Sequence, residues 1–192
     1  MNKSLIETGD SPILKQVCAA VKPGEFLDGL MGRMERACKK SRAGVGIAAP
    51  QVGVAKRLIF TIVRDPKGTI RGEFFINPEI IGHSQTVNIA TEGCLSYPGI
   101  WKRIKRHDAI TLKFQRTSRA PFEERRFEGF HARVLQHEVD HLSGICLIGD
   151  PGFAGESDEE TIGTVAPMPK SSRFLPHAMV AVVAAISGFE RK

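Results

Sequence analysis

Apolar positions along the chain fall into two spacings. From Phe26 to Lys40, Leu27, Leu30, Met31, Met34 and Ala37 recur at helical intervals and predict an amphipathic helix. A second helix is predicted over Phe130 to Ser143, with Phe130, Val134, Val139 and Leu142 on its apolar side and Gly144 as its stop. Between them, short β-branched and aromatic runs predict strands at Arg57–Val63, Glu73–Ile76, Thr86–Thr91, Ala109–Gln115 and, more weakly, Phe122–Phe127. Tyr97-Pro98-Gly99 reads as a turn. Gly44 to Gln51 is too glycine-rich for an ordinary element and ends beside Pro50.

The pattern changes after Asp150. Residues 151–173 are rich in Gly, Pro, Ser and acids and read as a connector, and 177–189 form an Ala/Val-rich patch expected to pack on the body. This gives a catalytic domain over 1–150 and a C-terminal connector and apolar tail over 151–192. With 42% hydrophobic and 25% charged residues, the composition is that of an ordinary globular chain. A net charge of +6 is read as a solubility feature rather than a nucleic-acid footprint, so no sequence-specific nucleic-acid binding is expected. Cys18, Cys38, Cys94 and Cys146 contain no CxxC pair and suggest no disulfide framework. Neither a signal peptide nor an apolar run of spanning length is visible, so a cytoplasmic protein without membrane contact is expected.

His137-Glu138-Val139-Asp140-His141 carries the chemistry. Two imidazoles four residues apart lie one above the other on a helix, near enough to share an ion, and Glu138 borders that face. This is the HExxH arrangement, with two histidine ligands and a glutamate that handles protons. A third ligand is required. The extended form that takes a downstream histidine is absent, and Glu156, Glu159 and Glu160 fall in the connector. Cys94, at a predicted strand end after Gly93, is the better candidate: a thiolate and two imidazoles leave a fourth position open.

Three segments, in order, closely resemble the peptide deformylase family. They are the glycine-rich Gly44 to Gln51, Glu92-Gly93-Cys94-Leu95-Ser96, and Gln136 to Gly144. The likeness runs from about Gly9 to about Ile148. It implies an α+β fold, with antiparallel sheets packed around a central helix that carries the HExxH metal motif. It also implies removal of the formyl group from the N-terminal methionine of nascent polypeptides, releasing formate. Cys94, His137 and His141 would then be metal ligands and Glu138 the acid–base. Gln51 and the backbone N–H of Leu95 would be donors to the developing oxyanion. The family's usual ion is ferrous iron, one per chain, with nickel, cobalt or zinc as substitutes; softness of the ligands does not choose between iron and zinc.

The peptide is expected to lie extended beside Val45-Gly46, where Gly46 lacks a Cβ, with Val45, Leu95 and Val134 around the methionine side chain. Glu92 is placed by its motif to accept the free N–H of a metal-bound imidazole. Asp140, turned from the metal face, needs a cation, and Arg106 is the candidate. Cys18, Cys38 and Cys146 read as small buried apolar residues, and His83, His107, His131 and His177 as surface or structural. Lys102, Arg103, Lys105 and Arg106 beside Trp101 read as a solvated basic edge; its sharper reading is a weak ribosome contact. Two rivals remain: a different HExxH amidase or peptidase, and a non-catalytic module that binds N-terminal peptides.

Overall fold

The computed structural model describes residues 5–41, 44–64 and 70–147. The connector, the acidic Glu156, Glu159 and Glu160, His177 and the apolar tail therefore lie outside the described residues. Five antiparallel strands form one sheet in the order β1 (Gly46–Ala48), β2 (Leu58–Arg64), β3 (Ile70–His83), β6 (Ala109–Gln115), β7 (Glu123–Glu128). β4 (Val87–Cys94) and β5 (Tyr97–His107) pair separately as a two-stranded ribbon. Helix α1 (Asp28–Lys40) packs against β1 and β2, while α2 (Gly129–Leu142) touches β1, β2, β3, β6 and β7 of the sheet and β5 of the ribbon. The architecture is the expected α+β class with α2 at its centre.

Strand alternation divides the core between the two sheet faces. Ala48, Ile59, Phe75, Ile110, Leu112 and Phe114 pack with Ala132, Leu135 and Leu142 of α2. Ile47, Leu58, Phe60 and Ile76 pack with Leu27, Met34, Ala37 and Cys38 on the α1 side. A third cluster joins Leu14, Cys94, Tyr97, Ile104, Cys146 and Leu147, where the N-terminal segment and the chain beyond α2 meet the ribbon. Cys18, Cys38 and Cys146 are buried free thiols, as expected.

Several expectations change. α1 starts at Asp28, and Phe26 is left 82% exposed outside it. On α2, Ala132 and Leu135 carry core contacts that the apolar spacing did not assign, while Phe130 is only half-buried. The β3 strand runs far beyond Glu73–Ile76. Pro78 and Gly82 lie within it, accommodated by shifts in pairing between Ile76 and Glu79, and between Ile80 and Gly82. Asn77 takes φ 50 there, and its amide clamps Val21 by accepting from its N–H at 2.7 Å and donating to its carbonyl at 3.0 Å. Strand β5 was hidden by its basic residues. The turn of the ribbon is Leu95–Ser96, and Tyr97-Pro98-Gly99 belongs to β5, bulged between Gly93↔Trp101 and Cys94↔Tyr97.

His131 is structural. Its ring meets Phe127 edge-on with centroids 4.8 Å apart, and Nε2 lies 3.4 Å from Thr61 Oγ1. Burial pushes its pKa from 6.5 down to about 4, opposed by Glu73 and aided by Arg125. The folded state thus resists protonation that the unfolded chain accepts. The resulting stabilisation is complete above about pH 6.5 and is lost as pH falls toward 4, a change on the order of 2–3 kcal/mol. Denaturant titrations at pH 7 and pH 5 should show lower stability at pH 5, with the difference visibly smaller in His131→Phe. An unchanged pH difference in that variant would contradict this assignment.

Candidate metal centre

Two backbone devices bring the ligands together. Helix α2 sets His137 and His141 one turn apart, with ring centroids separated by 5.1 Å. The ribbon delivers Cys94 as the last residue of β4, directly before the Leu95–Ser96 turn. Cys94 Sγ lies 3.2 Å from His141 Nε2, and one ligand atom from each of Cys94, His137 and His141 falls within 4.8 Å of the others. All three residues are buried. Among the described residues, this is the group of His, Cys, Asp and Glu that could hold a metal ion.

Glu138 stands beside this group, also buried, and its Oε2 has no hydrogen-bond partner among the described residues. Its Oε1 occupies the space where a Cβ on Gly46 would stand, and Val134 Cγ1 lies 2.9 Å from that position. Gly46 is therefore needed first for the close approach of α2 to β1. Burial pushes the Glu138 carboxyl up to about 7, against the opposing charges of His137 and His141.

Gln51 enters from the turn Ala49–Val52, which Gly53 closes at φ 82. Its Oε1 accepts from the Ala48 N–H at 2.8 Å, and this fixes the amide orientation. Nε2 is then directed at Ser96 Oγ, 3.1 Å away, and Cys94 Sγ, 3.5 Å away. The N-terminal segment straps both partners, through Glu7 N–H to Gln51 O at 2.8 Å and Gly9 N–H to Ser96 O at 2.9 Å.

The donor set suits a divalent cation. Burial alone would raise the Cys94 thiol, but the His141 charge and hydrogen bonds from His137 and His141 bring it down to about 5. His137 is opposed by burial, yet Cys94 and Glu92 lift it to about 9. The pocket thus holds a thiolate against imidazole protons, the positions an ion would take. With one sulfur and two nitrogens converging, the residues fit a metal with a vacant coordination position.

Behind the ligands lies a fully buried carboxylate. Glu92 Oε2 is 3.0 Å from His137 Nδ1. Arg106 donates to both oxygens at 3.0 Å, and Arg133 Nη1 donates to Oε1 at 2.5 Å. Burial would raise the Glu92 carboxyl, but Arg106 and the His137 and Arg106 hydrogen bonds hold it well below the usual carboxylate range. Arg106 also donates to Asp140 at 2.5 Å. The structure thus brings Glu92, Arg106 and Asp140 together; the sequence suggested a pairing of Arg106 with Asp140 alone and set Glu92 against an imidazole. Arg106 is buried, so that part of the basic edge is not solvated; Arg103 and Lys105 are exposed.

Arg133 and Asn88 were missed. Arg133 also donates to the carbonyls of Ile104, at 3.0 Å, and Asn88, at 2.9 Å, and bonds the Asn88 side chain. Its spacing of four residues before His137 was the available signal. A recess of about 140 Å³ opens beside Cys94, lined by Gly93, Leu95, Tyr97, Gly99, Ile100 and Trp101. Of the three residues expected around the methionine side chain, Leu95 lines this recess; Val45 is half-buried and Val134 is fully buried behind Gly46. Removing Arg106 leaves Glu92 and Asp140 short of their shared cation. Arg106→Ala should cost about 3–5 kcal/mol of unfolding free energy and lower the metal bound per chain; unchanged values in both measurements would show the pairing to be idle.

Comparison with known proteins bears on this geometry. The polypeptide deformylase family profile matches residues 3–150. A peptide deformylase of Natranaerobius thermophilus is 39% identical over 147 residues, 74% of this chain and 88% of that protein. One from Prochlorococcus marinus (strain NATL1A) is 41% identical over 108 residues, 56% of this chain. The match spans 53% of that relative's length, and the same share of the one from strain NATL2A. The Met-Ala-Ser-bound crystal structure of class I type b peptide deformylase from Acinetobacter baumannii superposes with a TM-score of 0.66 at 34% identity, covering 76% of this chain and 96% of that one.

Proposed function

The chain belongs to the polypeptide deformylase family, and from that premise we propose that it hydrolyses the formyl amide of N-formylmethionyl nascent peptides, releasing formate. The observation that carries the reading is the convergence of Cys94, His137 and His141 within 4.8 Å, beside a Glu138 oxygen that has no hydrogen-bond partner among the described residues. Residues 1–150 form the catalytic domain in this reading, with 151–192 as its connector and tail. Cys94, His137 and His141 would hold one divalent ion, which would supply Lewis acidity at the reacting centre. Ferrous iron is the proposed ion, on the family resemblance; nickel, cobalt and zinc meet the same donors.

Glu138 does the proton work. A carboxyl held near 7 can take a proton from the attacking water and return it to the leaving amine at neutral pH. Gln51 Nε2, its partner oxygen already committed to Ala48, and the Leu95 N–H donate to the oxyanion that develops on the formyl oxygen. Glu92 fixes the His137 ring through Nδ1, and Arg106, Arg133 and Asp140 hold Glu92 and its arginine in turn. The β1 strand stands at the edge of its sheet, so an extended peptide can add beside Gly46, while the Val45 carbonyl is already engaged by the Ile62 N–H. The Acinetobacter relative was crystallised with Met-Ala-Ser, a peptide beginning with methionine. Val45, Leu95 and Val134 remain the proposed surround of the methionine side chain. No helix among the described residues is long and apolar enough to cross a membrane. A cytoplasmic setting, with a weak ribosome contact through Arg103 and Lys105, fits a substrate that emerges during translation.

Anaerobically prepared ferrous protein should release formate from a formyl-methionyl peptide. Glu138→Ala should lower kcat by about 10²–10⁴-fold, and Gln51→Ala by about 10²–10³-fold. Cys94→Ser should lose bound metal as well as activity. No formate from metal-loaded wild type would overturn the proposal; cleavage of unformylated peptides instead would favour a different amidase.

A further inference from the structure

The two imidazoles of α2 differ in how their second nitrogen is satisfied. His137 Nδ1 has the Glu92 carboxylate at 3.0 Å. His141 directs Nε2 at Cys94 Sγ, and its Nδ1 is buried with no hydrogen-bond partner of standard geometry among the described residues. An imidazole that ligates through Nε2 carries its proton on Nδ1, and a buried N–H calls for an acceptor.

The chain just past the helix supplies a group at that end. Gly144, at φ 75, and the bonds Gly144 N–H to His141 O at 3.2 Å and Ile145 N–H to Asp140 O at 3.0 Å reverse the backbone. Cys146 is thereby returned to the last turn of α2, buried in one cluster with Cys94, Tyr97 and Leu14. Its thiol neighbours both the His141 ring and the Tyr97 hydroxyl. The single S–H donates to the Leu14 carbonyl at 3.3 Å, which leaves the sulfur lone pairs for incoming donors.

We propose that Cys146 is a positioning residue of the metal centre, its Sγ accepting the Nδ1–H of His141 while its own S–H is engaged by Leu14 O. One ligand imidazole is then held by a carboxylate and the other by a thiol. The thiol is itself anchored to the N-terminal segment, so docking of that segment bears on how firmly His141 is held. The inference rests on the reading that Cys94, His137 and His141 bind an ion, and not on the reaction catalysed.

The test uses full-length protein loaded with cobalt(II), comparing wild type with Cys146→Val, Cys146→Ser and Leu147→Ala. Valine removes the acceptor and keeps the site filled with a somewhat larger apolar group, serine keeps an acceptor, and Leu147→Ala loosens the same cluster without touching the thiol. Two readouts are taken: cobalt release into excess chelator, and the hyperfine-shifted exchangeable ring N–H protons of the ligand histidines by NMR. Cys146→Val should release cobalt about tenfold faster or more, and should shift or lose one of the two exchangeable signals. Cys146→Ser should keep both signals and release cobalt at close to the wild-type rate. Leu147→Ala should lower Tm with the spectrum intact. Should Cys146→Val not fold, Cys146→Ala takes its place. Wild-type behaviour of the acceptor-less variant, or the same spectral change in Leu147→Ala, would overturn the proposal. A wild type that takes up no cobalt would overturn the metal reading and this inference together, whereas absence of formate release leaves the comparison standing.

Discussion

A single buried carboxylate organises this protein. Glu92 is sealed from solvent, and a bare carboxylate there would be untenable in its charged form. It is kept ionised by Arg106 from the ribbon and Arg133 from α2, and it directs its remaining capacity to His137. Ribbon and helix carry opposite halves of one charge cluster, so neither can shift relative to the other without leaving a charge unpaired. Cys94 lies two residues beyond Glu92 on the same strand face. Fixing the carboxylate therefore fixes the thiol, and the ligand geometry follows from the charge geometry.

Close approach is the second constraint. At Gly46 a side chain would collide with Glu138, and at Gly93 it would meet Trp101 Cζ3 at 2.5 Å. Gly46 lets the edge strand close on α2, and Gly93 lets the Trp101 ring fold across the ribbon. Through its central turns α2 is buried nearly all round, with Arg133, Gln136, His137, Glu138 and His141 as well as apolar residues out of solvent. The polar side chains there are turned to internal use. Gln136, for one, exchanges hydrogen bonds with the backbone of His107, at 3.1 Å and 2.9 Å. The helix can be central because its polar face meets the ribbon rather than water.

The residues that touch a prospective ion were legible from local spacing, since four residues is one helical turn whatever surrounds it. The third member of the candidate metal group was proposed in kind, a soft donor at a strand end, and by resemblance in position; the structure places Cys94 beside the two imidazoles. The Ala109–Gln115 strand and the body of α1 were legible because each has one clean apolar stripe facing one layer. Where an element is buried on two sides, or where charge sits on a strand, that signal fails. The β5 strand, with Lys102, Arg103, Lys105 and Arg106 among its residues, escaped notice for the second reason, and α2, though its span was legible, hid the core contacts of Ala132 and Leu135 for the first.

By itself, then, the sequence determined the chemistry available: two imidazoles at helical spacing, a carboxylate beside them, a cysteine and a glutamine. The tertiary structure alone decided the couplings among them. Arg133 reaches Glu92 across 41 residues, Gln51 reaches Ser96 across 45, and Cys146 reaches Leu14 across 132. Such pairs have no local periodicity, because they are set by how sheet, ribbon and helix pack. Burial then converts them from incidental contacts into requirements, since a polar group removed from water must find its partner inside the fold.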